Sequence, residues 1–367
     1  MTGTALMKVI GAISGTSMDG IDVALIESNG TDEVRPGPGR TYRYGDALRA
    51  ALQRVVDDPA VAEHEPLHEL EREVTEAHAG AIASFMREHE LTKQSVALIG
   101  LHGQTILHRP QRRITRQLGS GASVARLLGI DTVDQFRHAD LADGGEGAPF
   151  APLYHQALAS KLEQPLMVLN LGGVGNVTYL DGKTVIAFDT GPASALLDDF
   201  VRRRNGKPYD EDGRLAASGR ADPALLAALM QHPFFDQSPP KSLDRNDFHA
   251  RAKIVDGLSD ADGAATLAAF TIASVADALR HLPSAPRRWL VTGGGRLNGN
   301  FMDLLAARLG VPVEPVEAVG WNGDFLEAQC FAYLALRSLR GLPLSLPSTT
   351  GVSRPITGGR LWRAPHE

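Results

Sequence analysis

A chain of 367 residues exceeds what one hydrophobic core usually supports, and 43% hydrophobic with 22% charged residues describes a folded globular protein of two domains. A formal net charge of -6, with no basic stripe interleaved with aromatics, gives no electrostatic footprint for nucleic acid. The single cysteine, Cys330, excludes an intramolecular disulfide and any CxxC motif. It fits a reducing, cytoplasmic setting, and with neither a signal peptide nor a stretch of about 18–20 apolar residues to be read, export and membrane insertion are not expected.

From the N-terminus, "VIGAISGTSMDGIDVALIES" reads as two strands around a polar turn. Gly15, Thr16, Ser17 and Gly20 combine bare backbone with hydroxyl donors, which suits a phosphate, and Asp19 or Asp22 suits a hydrated Mg²⁺ held indirectly. A glycine-assisted hairpin is the plainer alternative; neither a Walker A loop nor a GxGxxG fingerprint is present. Helical patterns follow over Asp46 to Asp57 and Pro66 to Glu90. "SVALIGLHGQTILHRP" is then a buried strand ending in His102 and Gln104, with His108 and Arg109 beyond; lacking acidic or cysteine companions, this pair suits sugar hydroxyls better than zinc. "TVDQFRHADLADGGEGAPFAP" sets Asp134, Arg137, Asp140, Asp143 and Glu146 around a glycine-rich loop, either solvated or with Arg137 facing a carboxylate-bearing ligand.

After a helix over Pro149 to Leu162, "LMVLNLGGVGNVTYL" repeats the opening plan of strand, glycine turn and strand, which points to duplication with a boundary near Ala151 to Gln164. "TVIAFDTGPAS" places Asp189 at the end of an apolar strand, as a general base or as a helix N-cap, a task Thr190 also suits. Helices are expected over 192–204, 222–231, 262–281, 299–309 and 324–340, with a long proline-broken loop through "FFDQSPPKSLDRNDFHA". In "WLVTGGGRLNGNF", Gly293, Gly294 and Gly295 end a buried strand where a flat ring or a diphosphate can lie on backbone. Glu327 opens the last long helix, either placed for the helix dipole or functional, and Cys330 reads as a small buried residue. Three glycine-rich strand ends together indicate a nucleotide.

In order and spacing, "GTSMDGIDVALIE", "GLHGQTILHRP", "TVDQFRHADLADGGEGAPFAP", "LNLGGVGNVTYL", "AFDTGPASALLDDF", "VTGGGRLNGNFMDLLAARL" and "FLEAQCFAYLALRSLRGLPLSLPSTTGVSRPITGGRL" resemble the anhydro-N-acetylmuramic acid kinases, within the superfamily of sugar kinases and actin-like ATPases. The resemblance implies an α/β fold of two duplicated actin-like (ribonuclease H-like) halves with a nucleotide cleft between them. The halves would be residues 1–150 and 151–367, the last segment free to pack back. It implies phosphorylation of 1,6-anhydro-N-acetylmuramic acid by ATP and Mg²⁺ with hydrolytic opening of the anhydro ring, in peptidoglycan recycling. The partners are then small molecules, not nucleic acid or membrane, and a homodimer is compatible with it.

By match of motifs, Gly15, Thr16, Ser17, Met18, Asp19, Gly20, Ile21 and Asp22 would take the ATP phosphates, with Gly172, Gly173 and Asn176 as a second phosphate turn. Gly293, Gly294 and Gly295, with Asn298, would meet adenosine. Asp189 would be the base and Glu327 its catalytic companion, while His102, Gln104, Arg137, Glu146 and Thr190 would hold the sugar. Residues that hold the metal are not assigned. The family pattern DTGPGN reads here with Ala193 and Ser194, and PKSTGRE reads "PKSLDRND", which keeps Lys241, Ser242 and Arg245. The rivals are an ordinary hexose kinase of the same fold and an actin-like ATPase acting as a conformational module.

Overall fold

Strands of this chain form where apolar runs have no face to spare for solvent: Val9, Ile10, Ala12 and Ile13 are all buried, as are Leu166 to Leu169. The computed structural model describes residues 5–15, 18–243 and 247–365, and these fall into two compact units, Met1–Lys161 with Phe325–Glu367, and Leu162–Asp324. In the first unit β1 (Met7–Ser14), β2 (Gly20–Ser28), β3 (Val34–Arg43), β4 (Leu98–Arg109), β5 (Ile114–Leu118) and β6 (Thr132–Asp134) join a short edge strand, Arg360–Trp362, in one seven-stranded sheet. In the second, β7 (Leu166–Leu171), β8 (Val174–Asp181), β9 (Thr184–Pro192), β10 (Arg288–Thr292) and β11 (Val313–Pro315) make a five-stranded sheet.

The duplication expected from two similar glycine turns is visible in the strand orders. Sheet one contains β3-β2-β1-β4-β6 and sheet two is β9-β8-β7-β10-β11. In both, the first strand pairs antiparallel with the second, the second antiparallel with the third, and the first parallel with the fourth, which is parallel to the fifth. The two glycine turns are therefore the same hairpin, between first and second strands, built twice.

The C-terminal helix, Leu326–Leu339, belongs to the first unit, although the reading from sequence placed 151–367 in the second half with its last segment free to return. It lies on β1, β2 and β4, and the strands admit it through glycine. A Cβ on Gly11 would sit 1.8 Å from the carbonyl oxygen of Ala328, and one on Gly100 would sit 2.1 Å from that of Phe331. Both clashes are with backbone, so neither rotamer change nor side-chain repacking relieves them. Gly11→Ala is expected to lose about 3 kcal/mol or more of stability, read as a lowered urea midpoint. A midpoint unchanged from wild type would show that this helix does not seat on β1 as described.

One stretch, Asp260–His281, is long and apolar enough to cross a membrane by length and composition, where the sequence reading found none. Two thirds of it is buried inside the second unit, where Gly263 makes room for the Phe200 ring, so its apolar character is that of a core helix. The expected loop through 234–250 contains two short helices, Pro233–Asp236 and His249–Ala252. The third strand, "VRPGPGRTYR", is also additional; two prolines argue against a strand, yet both are accommodated at the sheet edge.

Candidate functional site

In the first unit the turn between β1 and β2 is held from inside. Met18 takes φ +53°, a left-handed conformation unusual for its type, while its side chain is buried in the core and its N–H donates to the Gly15 carbonyl at 3.1 Å. Thr16 and Ser17 lie outside the described residues. Gly15 has open space where a side chain would be, whereas a Cβ on Gly20 would come 2.5 Å from the Tyr42 carbonyl oxygen, and Ile21 is core. Asp19 is exposed and paired with Arg49 at 2.6 Å; Asp22 accepts the Thr41 hydroxyl at 2.6 Å. Among the described residues of this set, Gly15 has open space beside it and no packing contact of its own.

Beside the turn, β4 carries a bulge. Ala12 pairs with Leu101 and Ile13 with Gly103, so His102 is skipped, and Gly103 takes φ +73°. The displaced imidazole packs on Phe331 with ring centroids 4.2 Å apart, and its Nε2 accepts from Arg137 Nε at 3.1 Å. The proton is therefore on Nδ1, which faces the Gly103 carbonyl at 3.2 Å. Burial first, and the Arg137 charge second, hold this histidine well below its ordinary pKa, so it is a neutral group. Gln104 is buried, bonded to Ser14 and to backbone carbonyls.

Arg137 also donates to the Gly147 carbonyl at 2.6 Å, and Gly147 N–H donates to Asp140, whose other oxygen accepts the Thr350 hydroxyl at 2.6 Å. Glu146 N–H donates to the Thr350 carbonyl, and His108 meets the Glu146 carbonyl at 3.0 Å. The glycine-rich loop is thus latched on both sides rather than solvated. Glu327, in the first turn of the C-terminal helix, presents its side chain to solvent but stands deep enough among protein atoms for desolvation to raise its pKa; Arg137 opposes the rise and Asp22 adds to it. Arg137, His102 and Glu327 are accordingly gathered, with the Glu146 loop beside them.

Several imidazoles of this unit are kept uncharged by burial: His78 and His108 are pushed down from 6.5 to about 4, and His155 to about 3. Because the unfolded chain binds these protons more readily, their contribution is complete above about pH 6.5 and is lost as pH falls toward 4. Urea unfolding is expected to show stability falling by on the order of a few kcal/mol between pH 7 and pH 5. Constant or rising stability over that interval would contradict the neutral assignment.

In the second unit the turn Gly172–Gly173 joins β7 to β8, and the start of the helix Ser194–Asn205 docks on it. Ala193 N–H donates to the Gly173 carbonyl at 3.0 Å, and Ser194 donates to the Gly172 carbonyl through both N–H and hydroxyl, at 3.0 and 2.8 Å. The residues that depart from the family pattern therefore make a local closure of the turn. Asp189 is not at the strand end: β9 runs on to Pro192, Ala193 is the N-cap, and no side chain caps that helix. Asp189 faces Asn176 across the ladder, its N–H donates to the Lys241 carbonyl at 2.9 Å, and its Oδ2 accepts from Leu243 N–H at 2.8 Å.

The strap carrying those groups is anchored by buried Lys241, whose ammonium donates to the Phe234 carbonyl at 3.1 Å and lies 4.5 Å over the Phe234 ring; burial lowers its pKa. Arg245 lies outside the described residues. Thr190 is buried and its hydroxyl has no hydrogen-bond partner among the described residues, directed at the space a Cβ on Gly175 would occupy. Of the triple glycine, Gly293 (φ +78°) lies against Asn170 and Gly295 against Leu171, while Gly294 alone faces open space. Asn298 caps the helix Gly299–Leu309, and Arg296 fixes the segment through Glu317, Asp324 and the Gly293 carbonyl. The strap on Asp189 is the part sequence reasoning missed, since it acts through backbone groups that no residue pattern reveals.

The model of the family Anhydro-N-acetylmuramic acid kinase matches residues 7–364. A relative of that name from Rhodospirillum rubrum is 52% identical over 357 residues, covering 97% of this chain and 94% of that protein, and one from Paramagnetospirillum magneticum is 51% identical over 356 residues, covering 96% and 99%. Among solved structures, a ROK hexokinase from Thermus thermophilus aligns with 91% of this chain and 100% of its own at 16% identity, with a TM-score of 0.43, too loose a likeness to bear on function.

Proposed function

The chain belongs to the anhydro-N-acetylmuramic acid kinase family, and on that premise we propose that it phosphorylates 1,6-anhydro-N-acetylmuramic acid with ATP while water opens the anhydro bridge, yielding N-acetylmuramic acid 6-phosphate and ADP in the recycling of cell-wall peptidoglycan. The observation that carries this reading is identity near 50% sustained over almost the full length of both chains. A metabolic step of this kind, run on ATP, places the protein in the cytoplasm.

In the proposed chemistry Asp189 takes a proton from water as its oxygen bonds to the anomeric carbon; the C1–O6 bond breaks, and the freed O6 attacks the γ-phosphorus, releasing ADP. The Leu243 N–H on one carboxylate oxygen and the Lys241 carbonyl on the backbone hold Asp189 in one orientation, which supports its role as base. Gly15 and the Gly172–Gly173 turn would receive phosphates on bare backbone, and Gly294 would lie against adenosine. Arg137 would face the lactyl carboxylate of the sugar, with His102 fixed as a neutral group beside it and Glu327 as a second acid.

Mg²⁺ bound with ATP would supply charge neutralisation on the phosphates. The described residues contain no cluster of three or more metal-ligating side chains, which suits an ion held chiefly by phosphates and water; Asp19 or Asp22 would give the single indirect contact. The test is ADP release. ADP is expected with the anhydro sugar and not with glucose or N-acetylglucosamine. Release with hexoses alone would favour the hexose-kinase rival, and release indifferent to sugar would favour the conformational ATPase.

A further inference from the structure

The sequence pairs Gln104 with His102 as a sugar contact, but its surroundings give it a different task. The residue is 1% exposed, and its amide is engaged at both ends: Ser14 Oγ donates to Oε1 at 2.6 Å, while Nε2 donates to the carbonyl of Thr105 at 3.1 Å and to that of Gly15 at 3.3 Å. The reverse orientation of the amide would set its oxygen against two carbonyl oxygens, so the assignment is fixed by chemistry. Neither N–H is left for a sugar hydroxyl.

The contact at Gly15 is the informative one. Its carbonyl accepts from Gln104 on one side and from Met18 N–H on the other, so both of its lone pairs are committed. Met18 holds its end through a buried side chain, despite an unfavourable φ of +53°. The peptide that opens the turn is thereby fixed from β4 and from the turn's own end, before any ligand arrives. The bulge at His102 sends the next residues of β4 along β1 in the register that sets Gln104 opposite Ser14.

We propose that Gln104 is the positioning residue of the first phosphate turn, holding the Gly15 peptide that opens it in place for the phosphates of the nucleotide. The inference rests on the nucleotide reading given above. It differs from that reading in removing Gln104 from the sugar pocket and giving it an effect on ATP alone.

Gln104→Met tests this because it keeps approximate size and removes both donors without adding a charge beside the phosphates. Calorimetry on the full chain without sugar should show ATP and ADP bound about tenfold more weakly, with adenosine binding within about twofold of wild type. The KM for the anhydro sugar should also stay within about twofold. Weakened sugar binding with ATP unaffected would overturn the proposal, as would equal losses for ATP and adenosine, which mark a general scaffold. Should this variant not fold, Ser14→Ala, which removes the hydroxyl orienting the amide, must show the same selective loss for phosphate-bearing ligands. Wild type that binds ATP without phosphorylating the sugar defeats the proposed function alone; unchanged ATP binding in the variant defeats this inference alone; wild type that binds no ATP defeats both.

Discussion

Asp189→Asn is expected to reduce kcat by at least about a thousandfold while ATP affinity remains that of wild type. Asparagine matches aspartate in size and keeps an oxygen that can accept the Leu243 N–H, so the strap from Lys241 to Leu243 should stay on β9. What is lost is the capacity to take a proton from water. The readouts are steady-state turnover with the anhydro sugar and calorimetric ATP binding on the same preparation. A variant with most of its activity removes Asp189 from the role of base, and a variant that loses ATP binding equally makes it a scaffold for the nucleotide.

The second large effect is expected at Arg137. Replacing it with leucine removes the donor to His102 Nε2 and the donor to the Gly147 carbonyl, and withdraws the positive charge that opposes the rise of the Glu327 pKa. A hydrogen bond from a charged group contributes about 1.5–3 kcal/mol, so loss of the proposed contact to the sugar carboxylate should lower kcat/KM for the sugar by about 10- to 150-fold. Lysine should not rescue it, because one ammonium cannot reproduce the divergent donors that reach His102 and Gly147 together. ATP affinity should be preserved. Loss of ATP binding with sugar binding intact would place Arg137 in the nucleotide site and contradict its role here.

Much of this organisation is written locally. The two glycine hairpins were legible because each pairs an apolar run with small polar residues, and the strand orders show them at equivalent places in two sheets. The triple glycine was legible as a backbone surface, though only its middle member is open; Gly293 and Gly295 are glycine because Asn170 and Leu171 leave no room.

Other features depend on contacts far apart in sequence. β3 was hidden because Pro36 and Pro38 argue against a strand, and their tolerance at the edge is a property of the sheet, not of the segment. The Leu326–Leu339 helix returns to the first unit because Gly11 and Gly100, some 300 and 200 residues earlier, accept its backbone. Asp189 read as a residue at a strand end, yet its environment is set by the main chain of Lys241 and Leu243, whose identities carry little trace of that contact. Gln104 read as a sugar ligand by its neighbour His102, and the bulge between them separates their surroundings.

The central claim is that water, activated by the protein, opens the anhydro ring in the same turnover that transfers phosphate. It is tested most directly by incubating the protein with ATP, Mg²⁺ and 1,6-anhydro-N-acetylmuramic acid in ¹⁸O-labelled water and weighing the product. The expected product is a ring-opened sugar phosphate with one ¹⁸O at C1 and none in the phosphate. A phosphorylated sugar with its anhydro bridge intact, or label in the phosphate instead of at C1, would contradict the account.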